Sequence, residues 1–308
     1  MANLHDNAKI YLNKVKNIAS LSTMTATEAR RMRAVPPSNR PVATLAQITN
    51  TKFTARDGAQ ISLRIYTPHG DGPFPIIIYY HGGGWVLNDL NTCHESCAEL
   101  ANKTNSIVVS VDYRLAPEYK FPTPVYDAFD ALTWTREHAS EFNGNPSNLS
   151  VAGDSAGGNL AIAAAQLAAE HKISLTTQLL LYPVTDLTYS SESYRIFEKG
   201  YGLDKDVMEW FGNYYIRSEQ DAENPLVAPL RAQDFSIFPP TYIIPAENDV
   251  LRDEAIQFAK QLQQAGVHTE VSIAQGLIHS FFTKNEAFAE QITTTIEQID
   301  DFLHRQLQ

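Results

Sequence analysis

The chain has 308 residues, of which 44% are hydrophobic and 19% charged, a composition that suits a soluble globular protein with a large core. Its formal net charge of −11 argues against a polyanionic partner such as nucleic acid. No apolar run approaches the length of a membrane span.

The first forty residues depart from this acidic balance, with Lys9, Lys14, Lys16, Arg30, Arg31, Arg33 and Arg40 against Asp6 and Glu28. They carry no apolar h-region, so they do not read as a secretory signal. They read as two surface helices over about 5–18 and 25–33, the second opened by the capping-box pattern Thr25-Ala26-Thr27-Glu28 and stopped by Val35-Pro36-Pro37. Strands are expected at 47–54 and 60–67, flanking the turn signal Asp57-Gly58, so these two pair antiparallel. From the apolar run Pro75 to Tyr80 onward, strand and helix alternate. Further strands are expected at 76–80, 106–112, 149–153, 177–182, 241–246 and 268–274. Helices are expected at about 91–103, 124–139, 157–170, 252–265 and 286–305. That rhythm predicts a mostly parallel sheet with helices on both faces. The two cysteines, Cys93 and Cys97, are too few for a disulfide scaffold. With His94 they have no complementary metal-ligand cluster elsewhere. They read as reduced residues on one helix, which points to a cytoplasmic protein.

Nearly sixty residues separate Tyr182 from the strand at 241, far more than a crossover needs. They include an aromatic-rich helix, Asp204 to Tyr215, whose Trp210, Phe211, Tyr214 and Tyr215 could wall an apolar pocket or simply pack as core. An insertion of this kind at strand ends commonly forms a lid. The whole chain, 1–308, therefore reads as one catalytic domain with a helical cap from about 185–225 and from the N-terminal helices, about 1–45.

The residues that carry chemistry lie on loops at one sheet end. Gly153-Asp154-Ser155-Ala156-Gly157 is a G-x-S-x-G pattern between an apolar strand and an Ala-rich helix. A turn this sharp pushes the Ser155 hydroxyl clear of the sheet, and the helix N-terminus behind it favours developing negative charge. His81-Gly82-Gly83-Gly84-Trp85 follows a core strand and offers backbone N–H groups of the kind an oxyanion hole needs. About seventy residues separate the two motifs, room for one further strand–helix unit, so their strands can lie side by side.

A nucleophilic serine needs a base and an orienting acid, which in this arrangement follow in the order Ser, acid, His. His279 sits between the last strand and the last helix, where the base must be; His268 and His304 read as structural or surface residues. His81 precedes the serine and reads as shaping the glycine loop. Among Glu247, Asp249, Asp253 and Glu254, the last two fall on a first helical turn, where the helix dipole alone favours acids. Asp249 is preferred over Glu247, against the alternative that it only caps a helix. Asp154 is expected to point away from the reacting group.

These residues resemble the hormone-sensitive-lipase-like branch of the α/β-hydrolases, the family IV esterases. The resemblance spans about Phe74 to Phe282. It is carried by His81-Gly82-Gly83-Gly84-Trp85, Asp112-Tyr113-Arg114-Leu115-Ala116-Pro117-Glu118, Gly153 to Gly158, and Asp249 to Glu254 with Ile278-His279-Ser280-Phe281. The chain departs from the family at Val250, where Pro is common, and at Ser280, where Gly is common. The resemblance implies the α/β-hydrolase fold, a mostly parallel eight-stranded sheet flanked by helices with a helical cap. It implies Ser155, Asp249 and His279 as the triad, and Gly83, Gly84 and Ala156 as oxyanion donors. It implies a serine carboxylesterase for small-molecule esters with short to medium acyl chains, with no metal or cofactor. An amidase, deacetylase or lactonase would use the same triad. Hormone receptors on this fold have typically lost the base, which here stands in place. A homodimer is left open.

Overall fold

The computed structural model describes residues 3–36 and 42–306; the expected helix stop at Pro37 and the basic residue Arg40 lie outside the described residues. Two helices begin the chain, α1 (Asp6–Val15) and α2 (Ala26–Arg33). The second carries the expected capping box, in which the Thr25 side chain accepts from the Glu28 N–H and the Glu28 carboxylate accepts from the Thr25 N–H. Strands β1 (Gln47–Thr54) and β2 (Gln60–Thr67) form an antiparallel hairpin around Asp57-Gly58.

The α/β region follows in chain order. It runs β3 (Phe74–Tyr80), α3 (His94–Lys103), β4 (Ile107–Asp112), α4 (Thr123–His138), β5 (Gly144–Asp154), α5 (Ala156–Glu170) and β6 (Thr177–Leu181). After it come the short α6 (Glu192–Ile196), α7 (Lys205–Tyr215), β7 (Thr241–Ile244), β8 (Ala246–Asn248), α8 (Arg252–Gln264), β9 (Thr269–Val271), β10 (Ala274–Ile278) and α9 (Asn285–Gln306). Cys97 lies within α3 and Cys93 immediately before it; both are buried free thiols. None of the described helices is long and apolar enough to cross a membrane.

The main sheet has eight strands in the order β1-β2-β4-β3-β5-β6-β7-β9. The pairs from β4 to β9 are parallel, and β2 runs antiparallel to both β1 and β4. Strand β3 shows why the sheet must be covered twice. Ile76, Ile78 and Tyr80 belong to the core that includes Leu132 of α4, Leu160 of α5 and Phe258 of α8. Ile77 and Tyr79 alternate to the opposite face, into the core with Leu100 of α3 and Ile296 of α9. The apolar side of α8 is buried, at Ala255, Phe258, Ala259 and Leu262.

Two expected strands are corrected by the structure. The run at 241–246 breaks into β7 and β8 at Pro245, which has no N–H to continue a ladder. The run at 268–274 stops as β9, and the chain re-enters as β10, which pairs in parallel with β8 in a separate two-stranded ribbon. The Ala274 N–H donates to the Pro245 carbonyl at 2.8 Å, at the root of this ribbon. The break has a consequence for chemistry, because β8 and β10 end side by side at Asn248 and Ile278. The next residue on each is Asp249 or His279.

The N-terminal segment and the 182–241 insertion meet over the same end of the sheet. Trp210 of α7 donates its indole N–H to the Met24 carbonyl at 2.9 Å, and the Ser22 hydroxyl donates to Asp206 at 2.7 Å. Tyr215 stacks flat on Trp85, with ring centroids 4.2 Å apart, which seats α7 on the glycine loop.

Candidate active site

Strand β5 delivers the chain to Ser155 at φ 56° and ψ −121°, a conformation that a residue with a Cβ adopts only under constraint. The constraint is visible on both sides. A Cβ on Gly157 would lie 1.9 Å from the Tyr80 carbonyl oxygen, and one on Gly153 2.3 Å from the Gly157 carbonyl oxygen. The two backbones approach so closely that only hydrogen fits. The Ser155 N–H donates to the Leu181 carbonyl at 2.9 Å, tying the turn to β6. Helix α5 starts at Ala156, so the Ala156 N–H has no intrahelical acceptor.

The structure brings Ser155, His279 and Asp249 together. His279 Nε2 lies 2.8 Å from Ser155 Oγ, and its Nδ1 lies 2.6 Å from Asp249 Oδ2. Asp249 Oδ1 also accepts the Leu251 N–H at 3.1 Å, which fixes the carboxylate plane. All three residues are buried, and Tyr182 packs edge-on against the imidazole at 4.9 Å between centroids. The departure at Ser280 is conformational: the residue sits at φ 62° and ψ 19°, the left-handed region that glycine enters without strain. At Val250 the backbone carbonyl accepts the Ser193 hydroxyl at 2.6 Å, a contact that proline would also allow.

The competing acids are engaged elsewhere. Glu247 accepts the Gly276 N–H at 2.5 Å and holds β10 in place. Asp253 accepts the Ser193 N–H at 2.8 Å. Glu254 lies on the first turn of α8 as expected, and it is also buried, accepting the Thr185 N–H at 2.8 Å and the Asp186 N–H at 3.2 Å. Burial pushes its carboxyl well above the ordinary range, against those two donors. His268 is exposed beside Glu270 at 3.2 Å, and His304 is an exposed residue of α9.

Asp154 does point away from the reacting group, and it has a task that the sequence reading missed. Its Oδ1 accepts the Tyr79 hydroxyl at 2.8 Å and the Gly82 N–H at 2.9 Å, so it braces the serine turn against the glycine loop. Burial raises its carboxyl, opposed by those two hydrogen bonds. A carboxylate closing a buried strand was the signal, since a charge there needs donors. His81 shapes the loop as expected: its Nδ1 lies 2.8 Å from the Gly82 carbonyl, and its ring stacks on Tyr113 at 4.4 Å. The Tyr113 hydroxyl in turn donates to the His81 carbonyl at 2.7 Å.

Gly83 and Gly84 take φ +123° and +59°. The Gly83 carbonyl accepts from Val86 and Leu87, and no acceptor among the described residues takes the Gly83 or Gly84 N–H. A Cβ on Gly84 would lie 2.1 Å from the Phe211 ring, so α7 closes directly on the loop. Gly83, Gly84, Ser155 and His279 line one cavity of about 500 Å³, with Leu12, Val207, Met208 and Phe211 among its apolar walls. Of the four aromatic residues read as either pocket wall or core, only Phe211 lines this cavity. Trp210 and Tyr215 are buried in packing contacts, and Tyr214 stands edge-on to Trp210 at 4.7 Å.

A profile of the alpha/beta hydrolase fold matches residues 77–283 of the chain. The chain belongs to the α/β-hydrolase family. Its motifs place it in the hormone-sensitive-lipase-like branch. It is similar to an arylesterase of Saccharolobus solfataricus, at 38% identity over 238 residues that cover 77% of this chain and 78% of that one. It is similar to an ethyl acetate hydrolase of Pseudomonas putida, at 35% identity over 248 residues, 79% of this chain and 78% of that one. Among solved structures, the hyperthermophilic esterase of the archaeon Pyrobaculum calidifontis superposes with a TM-score of 0.88 at 33% identity, over 98% of each chain.

Proposed function

We propose that this carboxylic ester hydrolase works as a serine esterase through an acyl-enzyme, with Ser155 as nucleophile. The observation that carries the reading is the continuous chain Ser155 Oγ, His279 Nε2, His279 Nδ1, Asp249 Oδ2, with gaps of 2.8 and 2.6 Å. In the proposed reaction the Ser155 oxygen bonds to the ester carbonyl carbon while its proton passes to His279 Nε2. The carbonyl oxygen takes the negative charge and faces the N–H groups of Gly83, Gly84 and Ala156. Asp249 holds the Nδ1–H tautomer and stabilises the imidazolium. The C–O bond to the alcohol then breaks, and His279 gives its proton to the leaving oxygen. Water adds by the same route in reverse, with His279 as base, and releases the acid and free Ser155.

The same reading makes the chain one catalytic domain, capped by its N-terminal segment and by the insertion that contains α7. The cavity favours compact substrates, because α7 closes on the glycine loop at Gly84. A volume of about 500 Å³ shared by acyl and alcohol parts suits short to medium acyl chains. In a series of p-nitrophenyl esters from acetate to palmitate, kcat/KM is expected to peak between acetate and octanoate and to fall at least about tenfold by palmitate. An optimum at palmitate, or on emulsified long-chain triacylglycerol, would contradict this part of the reading.

A further inference from the structure

The cavity over Ser155 is positively charged in a protein whose formal net charge is −11. Lys16, Arg33, Lys199 and Lys284 line it, with Asp204 as the one carboxylate among its described lining residues. Asp204 is already engaged, since its Oδ1 accepts the Gly200 N–H at 2.8 Å. Lys16, Arg33 and Lys199 are exposed, whereas Lys284 is half-buried.

Lys284 lies five residues beyond His279 in the chain, and its Nζ donates to the Ser280 carbonyl at 3.3 Å. The ammonium is therefore tied to the carbonyl of the residue that follows His279. It also stands 5.5 Å from the centroid of the Tyr11 ring. Arg33, the last residue of α2, lines the same cavity and stands close enough to Tyr11 for its charge to act on that phenol. Burial, and the Arg33 guanidinium close by, push the Lys284 ammonium down to about 8. Arg30, Arg56, Arg114 and Arg217 each have a carboxylate partner at 2.6 to 2.8 Å. Neither Arg33 nor Lys284 has a carboxylate partner among the described residues.

Two like charges held close together without a counter-ion destabilise a fold. Such violations persist at sites where a ligand supplies the missing charge. We infer that Lys284 and Arg33 form an anion subsite that holds a carboxylate carried by the ester substrate, with Lys16 and Lys199 steering it in. The guanidinium offers paired N–H donors to a carboxylate, and the ammonium adds a point charge. The inference rests on the serine-esterase reading, because the subsite positions an ester over Ser155.

Two substrate series test it and locate the charge. The alcohol-side series is phenyl butanoate bearing a meta-carboxylate, a meta-carboxamide or a meta-trimethylammonium group. The acyl-side series is monoethyl succinate beside ethyl succinamate. In low salt, kcat/KM for the carboxylate is expected to exceed the carboxamide by about tenfold and the trimethylammonium by about a hundredfold in the series whose charge reaches the subsite. Molar salt is expected to shrink both ratios in the wild type. Lys284→Gln and Arg33→Gln are each expected to bring them towards one, and Lys284→Arg to keep them above one. Ratios near one in both series for the wild type, or ratios that stay unchanged in both glutamine variants, would overturn the subsite alone. No hydrolysis of any of these esters would overturn the serine-esterase reading along with it.

Discussion

Ser155→Ala is expected to lower kcat for p-nitrophenyl butanoate by roughly five to six orders of magnitude. On the proposed mechanism the loss follows from the only step in which the protein forms a covalent bond to the substrate. His279 Nε2 lies 2.8 Å from Ser155 Oγ, and removing that oxygen leaves the base with nothing to activate except water. In that mechanism residual hydrolysis would come from the N–H groups of Gly83, Gly84 and Ala156, which would still polarise the carbonyl. The variant should fold normally. Alanine keeps the same Cβ at the same strained φ of 56°, so the turn is no worse than before. Losing one hydroxyl changes stability by about 1 kcal/mol or less. Initial rates together with a thermal unfolding curve check both halves of the prediction. A variant that stays folded and retains more than about a hundredth of the activity would contradict the assignment of Ser155.

Asp249→Asn is expected to lower kcat by about four orders of magnitude, for a reason of geometry rather than charge alone. Asp249 Oδ1 accepts the Leu251 N–H at 3.1 Å, and Oδ2 faces His279 Nδ1 at 2.6 Å. In the variant, the amide oxygen is held by the Leu251 N–H, which turns the NH₂ group towards His279. An imidazole facing that donor accepts at Nδ1 and carries its proton on Nε2. It then has no lone pair for the Ser155 proton. Glu247→Gln makes the informative comparison, because Glu247 competes for the same role in the sequence. In the structure its carboxylate holds the Gly276 N–H, so the expected loss of kcat is less than about tenfold. Steady-state rates of the two variants side by side decide between the acids, and a larger loss for Glu247→Gln would reverse the assignment.

Much of this site was legible because its chemistry is local in sequence. Gly153 to Gly157 and His81 to Trp85 each form a short motif whose backbone geometry follows from its glycines, and each sits at the end of an apolar strand. The alternation of Ile76, Ile77, Ile78 and Tyr79 between two cores follows from the period of a strand. The features that were not legible depend on partners distant in the chain. Nothing near Glu254 shows that Thr185 and Asp186 will bury it, so the helix dipole appeared to be reason enough for an acid there. The ribbon of β8 and β10 is too short for periodicity to reveal, and only Pro245 hinted that the strand before it must stop. Nothing in the sequence around Lys284 shows that Tyr11, Arg33 and the Ser280 carbonyl will be brought near it. The aromatic residues of α7 were legible as a group but not individually, because helical position alone does not say which ring meets a cavity and which meets Trp85 or Met24.

The central claim is that Ser155 is the residue activated by His279 to attack a carbonyl. Covalent labelling with a fluorophosphonate, read by intact mass and then by peptide mapping, tests it most directly, because the reagent reacts with an activated serine whatever ester the enzyme prefers. The expected result is one adduct per chain, located on Ser155, absent from Ser155→Ala and formed far more slowly in His279→Ala. A wild-type protein that takes up no label, or takes it up on any other residue, would contradict the account.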